Sequence, residues 1–324
     1  MQQEEFILKK RMIAIVALAL VACLCLTGCG SSVAALKMAT GGTSGTYYGF
    51  CGVIANVLNS KLGSTMNITA ESTGASAANI DLIHTNADQL AIVQNDVMYY
   101  AYTGTTLFDT AVTDFSAVMS CYPEVVQLVT APDIHSVEDL RGRTVSVGAA
   151  DSGTRYNAEQ ILNAYGLTFN DINVVYQSFG DSVDSMKNGQ IDACFQVAGT
   201  PTNAITELAT TYDFNLIGVD DAHVAQLQSD YGFYTVVNVP AGTYSCVNED
   251  VQCVAVMATI IARNDVSEDV IYSFVKGMFD YKADISASHA KGEEIDLNTA
   301  VSGVAIPWHP GAVKYYSEQG ITVS

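Results

Sequence analysis

The sequence predicts an α/β protein of two doubly wound lobes joined by crossing strands. Three observations lead there. Short apolar runs with strand character alternate with helical patterns along most of the chain, which implies mostly parallel sheets covered by helices on both faces. The alternation starts afresh after Pro132, which implies a second lobe. No low-complexity linker separates the two runs, so the lobes are expected to share strands rather than a tether.

The elements follow in order. "LKMA" at Leu36 reads as a strand, and Tyr47, Phe50, Cys51, Ile54, Val57 and Leu58 then fall at helical spacing. "NITAES" from Asn67 is a strand, and Ser76 is placed to cap a helix carrying Ile80 and Ile83. "LAIVQ" from Leu90 is a fully apolar strand of the parallel-sheet kind, with Asn95 or Asp96 capping the helix of Val97, Tyr100 and Ala101. Val125 to Ala131 is a strand. "SVEDLRGRTVSVG" predicts a short helix, a stop at Gly142 and a strand over 144–147. The next helix carries Ala158, Ile161, Leu162 and Tyr165 and stops at Gly166. "INVVY", the helix before Gly189, "ACFQV", a helix with Thr200 as cap and Pro201 at its first position, and "NLIGV" continue the alternation. "CVAVMATIIA" from Cys253 fits a returning strand, followed by a helix with Val270, Ile271, Phe274, Val275 and Met278. The expected division is 33–131 plus 241–324 for the first lobe and 132–240 for the second.

Residues 1–28 have the pattern of an export leader: Lys9, Lys10 and Arg11, an apolar run from Ile13 to Leu26, then Thr27-Gly28-Cys29. The ending resembles a bacterial lipobox and predicts cleavage before Cys29 and its lipidation. The alternatives are an ordinary signal peptide or a buried helix, and Met12 is a second candidate start. The net charge is −20; the leader's Glu4, Glu5, Lys9, Lys10 and Arg11 sum to +1, leaving about −21 in the mature chain. That argues against nucleic acid and against an anionic membrane surface, so contact with the membrane is expected through lipid alone. Beyond Cys29, five cysteines remain; Cys246 and Cys253 flank a polar stretch and are either a local disulfide or two free thiols. No spacing makes a metal site, and no cofactor motif is present.

Six stretches in order resemble the TAXI family, solute-binding proteins of tripartite ATP-independent periplasmic (TRAP) transporters: "TGGTSGTYYGF", "ESTGASAANI", "LAIVQNDVMYYAYTG", "DLRGRTVSVGAADSGTRYNAEQIL", "AGTPTNAI" and "IPWHPGAVKYY". The resemblance implies a type II periplasmic-binding-protein fold. The lipobox-like leader in turn predicts an exported, lipid-anchored chain, expected as a monomer at the outer face of the cytoplasmic membrane or in the periplasm. A small organic anion, such as a glutamate-like amino acid, a dicarboxylate or a 2-oxo acid, is the implied ligand, and a TRAP-type permease the implied partner. Cys246 and Cys253 depart from the family pattern.

The residues themselves point to the same chemistry. Ser44-Gly45-Thr46 returns as Ser152-Gly153-Thr154, each before a helix. Glycines permit close backbone approach, hydroxyls hydrogen-bond, and helix starts favour anions without a basic patch. Ligands of doubly wound sheets sit at such strand-to-helix turns. Thr43, Ser44, Gly45, Thr46, Tyr47, Ser76, Gln94 and Asp96 are the candidates from the first lobe. Ser152, Gly153, Thr154, Arg155 and Thr200 are those from the second. Arg155 offers a two-bond grip on a carboxylate, and Asp96 a partner for an amine. The alternatives stay open: Ser44, Ser152 and Asp96 as helix caps, Tyr47 as core, Arg155 as a solvated surface residue. Trp308 and His309 are expected to hold the C-terminal turn.

An enzyme has little support. There is no Gly-x-Ser-x-Gly elbow, Walker loop or His-Glu-x-x-His, and the five histidines are scattered. An exported hydrolase would need distant residues to converge. A ligand-sensing lipoprotein feeding a receptor is the other alternative.

Overall fold

The computed structural model describes residues 33–106 and 108–323. The expected leader and Cys29 lie outside them. Among the described residues no helix is long and apolar enough to cross a membrane.

Three strand–helix pairs open the fold: β1 (Ala34–Ala39) and α1 (Thr46–Leu62), β2 (Met66–Glu71) and α2 (Ser76–His84), β3 (Leu90–Gln94) and α3 (Asn95–Thr103). β1 pairs in parallel with both β2 and β3, as the fully buried "LAIVQ" run predicts. The face of α1 read from the sequence is the buried one: Tyr47, Phe50, Cys51, Ile54, Val57 and Leu58 all enter the core. A long strand, β4 (Phe115–Thr130), then leads into β5 (Thr144–Ser146), α4 (Gly153–Ala164), β6 (Asn173–Val175), α5 (Phe179–Lys187) and β7 (Ala193–Ala198). α6 (Asn203–Leu208), β8 (Asn215–Ile217), α7 (Asp221–Tyr231) and β9 (Thr235–Val239) follow. β10 (Val251–Arg263) returns, and α8 (Glu268–Asp280), α9 (Lys282–Ser288) and α10 (Pro310–Glu318) close the chain.

The strands form one sheet of ten, in the order β2-β1-β3-β10-β4-β7-β5-β6, with β8 on β4 and β9 on β10. The pairings β1–β2, β1–β3, β5–β6 and β5–β7 are parallel. β4 and β10 are antiparallel to each other and to their other neighbours, so the sheet is mixed. These two strands serve both ends of the molecule. Ala258–Ala262 of β10 pairs with β3, and Val251–Ala255 pairs with β9. The core changes hands at the same place: one apolar cluster draws on residues between Leu36 and Tyr122 and between Ala258 and Tyr316, and two others on residues between Val125 and Val256.

Local expectations fail at four points. The strand read from Val125 begins already at Phe115. Ser76 is the first residue of α2, not its cap; its Oγ accepts from the Gln94 N–H at 3.1 Å. Neither Asn95 nor Asp96 caps α3, whose cap position is Gln94. Thr200-Pro201 is a cis peptide, and the helix begins later, at Asn203, so Thr200 caps nothing and Pro201 is not its first residue. Cys246 and Cys253 are free thiols, the second buried within β10.

Candidate functional site

A cavity of about 100 Å³ lies where the first and second core groups meet. Four helices begin at its wall. α1 presents Ser44, Gly45, Thr46 and Tyr47; α2 presents Ala75 and Ser76; α4 presents Ser152, Gly153 and Thr154; α5 presents Ser178, Phe179 and Gly180. The opening N–H groups of a helix have no intrahelical partner and sit at the positive end of its dipole. Four such ends around one small space make it favourable for negative charge. Val197 and Ala198 of β7, and Glu124 of β4, complete the wall together with Gln94 at the end of β3.

The two sides of the cavity touch. Thr46 Oγ1 donates to the Gly199 carbonyl at 3.2 Å. The Asp151 carbonyl accepts from Ala77 N–H at 3.1 Å and Ala78 N–H at 3.4 Å, so a residue beside α4 caps α2. Gly153 lies against Gln94 so closely that a Cβ there would fall 1.5 Å from Gln94 Oε1. The same glutamine donates through Nε2 to Asn157 Oδ1 at 3.0 Å, and Asn157 Nδ2 donates to Asp96 Oδ2 and to the Tyr234 hydroxyl, both at 2.9 Å. Gln160 and Tyr100 extend this buried chain across the interface.

The electrostatics follow from burial. Tyr47 donates its hydroxyl to Glu124 Oε2 at 2.5 Å. Burial pushes the Glu124 carboxyl well above the ordinary range, and the Tyr47 hydrogen bond and the charge of Lys291 only partly oppose it. Lys291 itself is paired with Glu294 at 2.5 Å. Asp96 is raised to about 6 by burial, against the hydrogen bonds from Asn157 and the Val97 N–H. Among the described residues no lysine or arginine lines the cavity.

Ten of the residues singled out from sequence therefore share this wall: Thr43, Ser44, Gly45, Thr46, Tyr47, Ser76, Gln94, Ser152, Gly153 and Thr154. Three do not. Asp96 lies behind Gln94 and Asn157, and Thr200 lies outside the lining. Arg155 turns away; its guanidinium lies 4.5 Å from the centre of the Tyr156 ring and 5.5 Å from that of Phe169, with Glu159 at 3.7 Å. Ser152 does cap its helix, accepting from the Arg155 N–H at 3.3 Å, whereas Ser44 makes no cap bond. The Thr73-Gly74-Ala75 turn belongs to the "STGASAANI" stretch, a third Gly-Ser-Thr junction before a helix that the sequence singles out; sequence reasoning missed Glu124 and the Ser178-Phe179-Gly180 helix start. Only the last carried a signal: Ser178 precedes Asp181 at capping spacing, and its Oγ accepts from the Asp181 N–H. Trp308 and His309 hold the C-terminal turn: His309 caps α10 and Trp308 packs edge-on against Tyr316.

Comparison with known proteins places this geometry. The profile of the NMT1-like family matches residues 38–320. Among solved structures, a protein of Bordetella bronchiseptica RB50 aligns at a TM-score of 0.55 and 13% identity, over 89% of this chain and 98% of that one. A putative L-cystine ABC transporter from Listeria monocytogenes aligns at 0.51 and 12%, over 82% and 99%. A periplasmic transporter aligns at 0.50 and 13%, over 89% and 93%. At such identities the likeness speaks for the fold, which is the type II periplasmic-binding-protein fold.

Proposed function

We propose a function for this chain, which belongs to the NMT1-like family: it is an exported binding protein that closes over a small organic anion and delivers it to a membrane permease. The observation that carries this reading is the convergence of four helix starts on one cavity between two core groups. Backbone N–H groups and the hydroxyls of Thr43, Ser44 and Ser76 would hold the anion, with no basic side chain needed. The volume, about 100 Å³, suits a ligand of roughly six heavy atoms or fewer, since a cavity of about 150 Å³ accepts benzene. β4 and β10, the strands common to both core groups, are the hinge of this proposal, with lobes near 33–124 plus 257–323 and 125–256 in place of the division at 131 and 241 expected from sequence. The resemblance to TAXI proteins supports a TRAP-type permease as partner, and the export leader supports a lipid anchor at Cys29 and a place outside the cytoplasmic membrane. The solved neighbours named as transporters, one of them an ABC transporter, support the solute-binding role. Binding rather than turnover is the reading, which the solved neighbours named as transporters support.

Calorimetry against amino acids, oxo acids, dicarboxylates, sugars and polyamines tests it. Submillimolar binding of a carboxylate without turnover is expected. Binding of only a sugar or a polyamine would overturn it.

A further inference from the structure

We propose that Glu124 is a neutral hydrogen-bond donor to the bound anion, so that the chain takes up a proton with each anion it encloses. The inference rests on the reading of the chain as a binder of small organic anions, and assigns the proton that such binding needs.

Among the described residues, Glu124 is the one carboxyl group in the cavity wall, and no lysine or arginine stands there beside it. It is 2% exposed. Its Oε2 accepts the Tyr47 hydroxyl at 2.5 Å, and among the described residues no hydrogen bond reaches Oε1, so that oxygen is left for the cavity. No neighbour neutralises the carboxyl. Tyr47 on α1 and Tyr122 and Cys121 on β4 are held neutral by burial, and Asp96 on α3 is a second acid. Lys291, in the turn Ala290–Gly292, is the cation that acts on Glu124, and Glu294 holds its ammonium at 2.5 Å.

Two negative charges do not share so small a space well. The cavity holds about 100 Å³, so an enclosed anion and Glu124 Oε1 stand close together, and a like charge at that range disfavours ionisation. A proton on Oε1 removes the repulsion and turns this oxygen into a donor toward the ligand, while Oε2 still accepts from Tyr47. The closed wall acts in the same direction. Burial pushes the carboxyl well above the ordinary range, against the Tyr47 hydrogen bond and the Lys291 charge. In an open cleft water reaches Glu124, and the group ionises near neutral pH. Closure over an anion therefore draws one proton from solvent onto Glu124: an O–H bond forms there, and no bond of the ligand breaks. The bound form holds more protons than the open form, so affinity falls as pH rises.

The test is calorimetry with acetate, pyruvate, lactate, alanine and glutamate between about pH 7 and pH 8.5, where these carboxylates stay ionised. Asp96, raised to about 6, is ionised over that range as well and adds almost no proton. Whichever carboxylate binds should do so with uptake of about one proton, read from buffers of different ionisation enthalpy, and should lose up to about tenfold in affinity per pH unit. Glu124→Gln keeps an acceptor for Tyr47 and a donor for the ligand. It should abolish both the uptake and the pH dependence, and should bind at about pH 8.5 at least as tightly as the wild type does there. Tyr47→Phe removes the hydrogen bond that favours the carboxylate, and should move the fall in affinity to higher pH. Proton release, no proton exchange, or a Glu124→Gln variant that keeps the wild-type pH dependence overturns the inference and leaves the binding-protein reading standing. Binding of no carboxylate at all overturns both. Should Glu124→Gln not fold, the wild-type uptake and the Tyr47→Phe profile decide.

Discussion

Gly153 sits in a tripeptide whose repetition in the sequence suggests a ligand clamp, yet its immediate neighbour is protein. A Cβ at this position would fall 1.5 Å from Gln94 Oε1, so the glycine permits the two sides of the cavity to meet. Gly153→Ala should therefore oppose the closed form. Overpacking of this kind costs about 1–3 kcal/mol, so ligand affinity should drop roughly 5- to 150-fold by calorimetry, with little change in the melting temperature of the ligand-free protein. Gly52 in α1 is the control, since a Cβ there would meet nothing within 4 Å. Gly52→Ala should leave binding unchanged and stabilise the helix by about 0.5–1 kcal/mol. Arg155 makes the reverse case. The type of side chain suits a carboxylate grip, but Tyr156, Phe169 and Glu159 occupy it. Arg155→Ala should change ligand affinity by less than about threefold, because a partly exposed ion pair and a stacked ring hold it outside the cavity.

At the scale of elements, the chain from Asp96 through Asn157 to Gln94 ties α3 to α4 and carries a pH signature. Burial raises Asp96 to about 6 from the usual 3.8. A raised acid favours the folded state most when it is protonated: its contribution is full below about pH 4 and is lost as pH rises through about 6. Asp96→Asn removes that dependence. The melting temperature of the variant relative to wild type should therefore rise between about pH 4 and pH 7, measured by calorimetry or circular dichroism. A difference that stays flat or falls over that interval would contradict the assignment. How far such elements can be read from sequence depends on whether their signal is local. α1 and β3 were legible, because their apolar spacing matches their burial residue by residue. The first half of β4 was not. It carries Ser116, Ser120, Pro123 and Glu124, which break any strand pattern. Their partners lie far away in sequence: Ser116 donates to Asn264, Ser120 to the Ser302 carbonyl, and Tyr47 donates to Glu124. A buried carboxyl whose partner is 77 residues distant leaves no trace in its neighbours. The two Ser-Gly-Thr loops were legible as helix starts, but not that one glycine answers to a glutamine across the cavity.

At the scale of the whole molecule, β4 and β10 run through both core groups and join them into one sheet. The contacts across the cavity combine hydrogen bonds, such as those of Thr46 and Gln94, with apolar ones: Tyr99 and Tyr100 against Phe233, Val97 beside Gly153 and Phe179 beside Gly45. Such an interface can open while the strands on which it turns stay paired. The central claim is that this opening and closing admits and encloses a small carboxylate. The most direct measurement is native mass spectrometry of the freshly purified protein, with the released ligand identified and then titrated back while small-angle scattering follows the radius of gyration. The account predicts one bound carboxylate of low mass per chain, and compaction when it is restored. Release of a sugar or a polyamine, or an unchanged scattering profile on rebinding the released carboxylate, would contradict it.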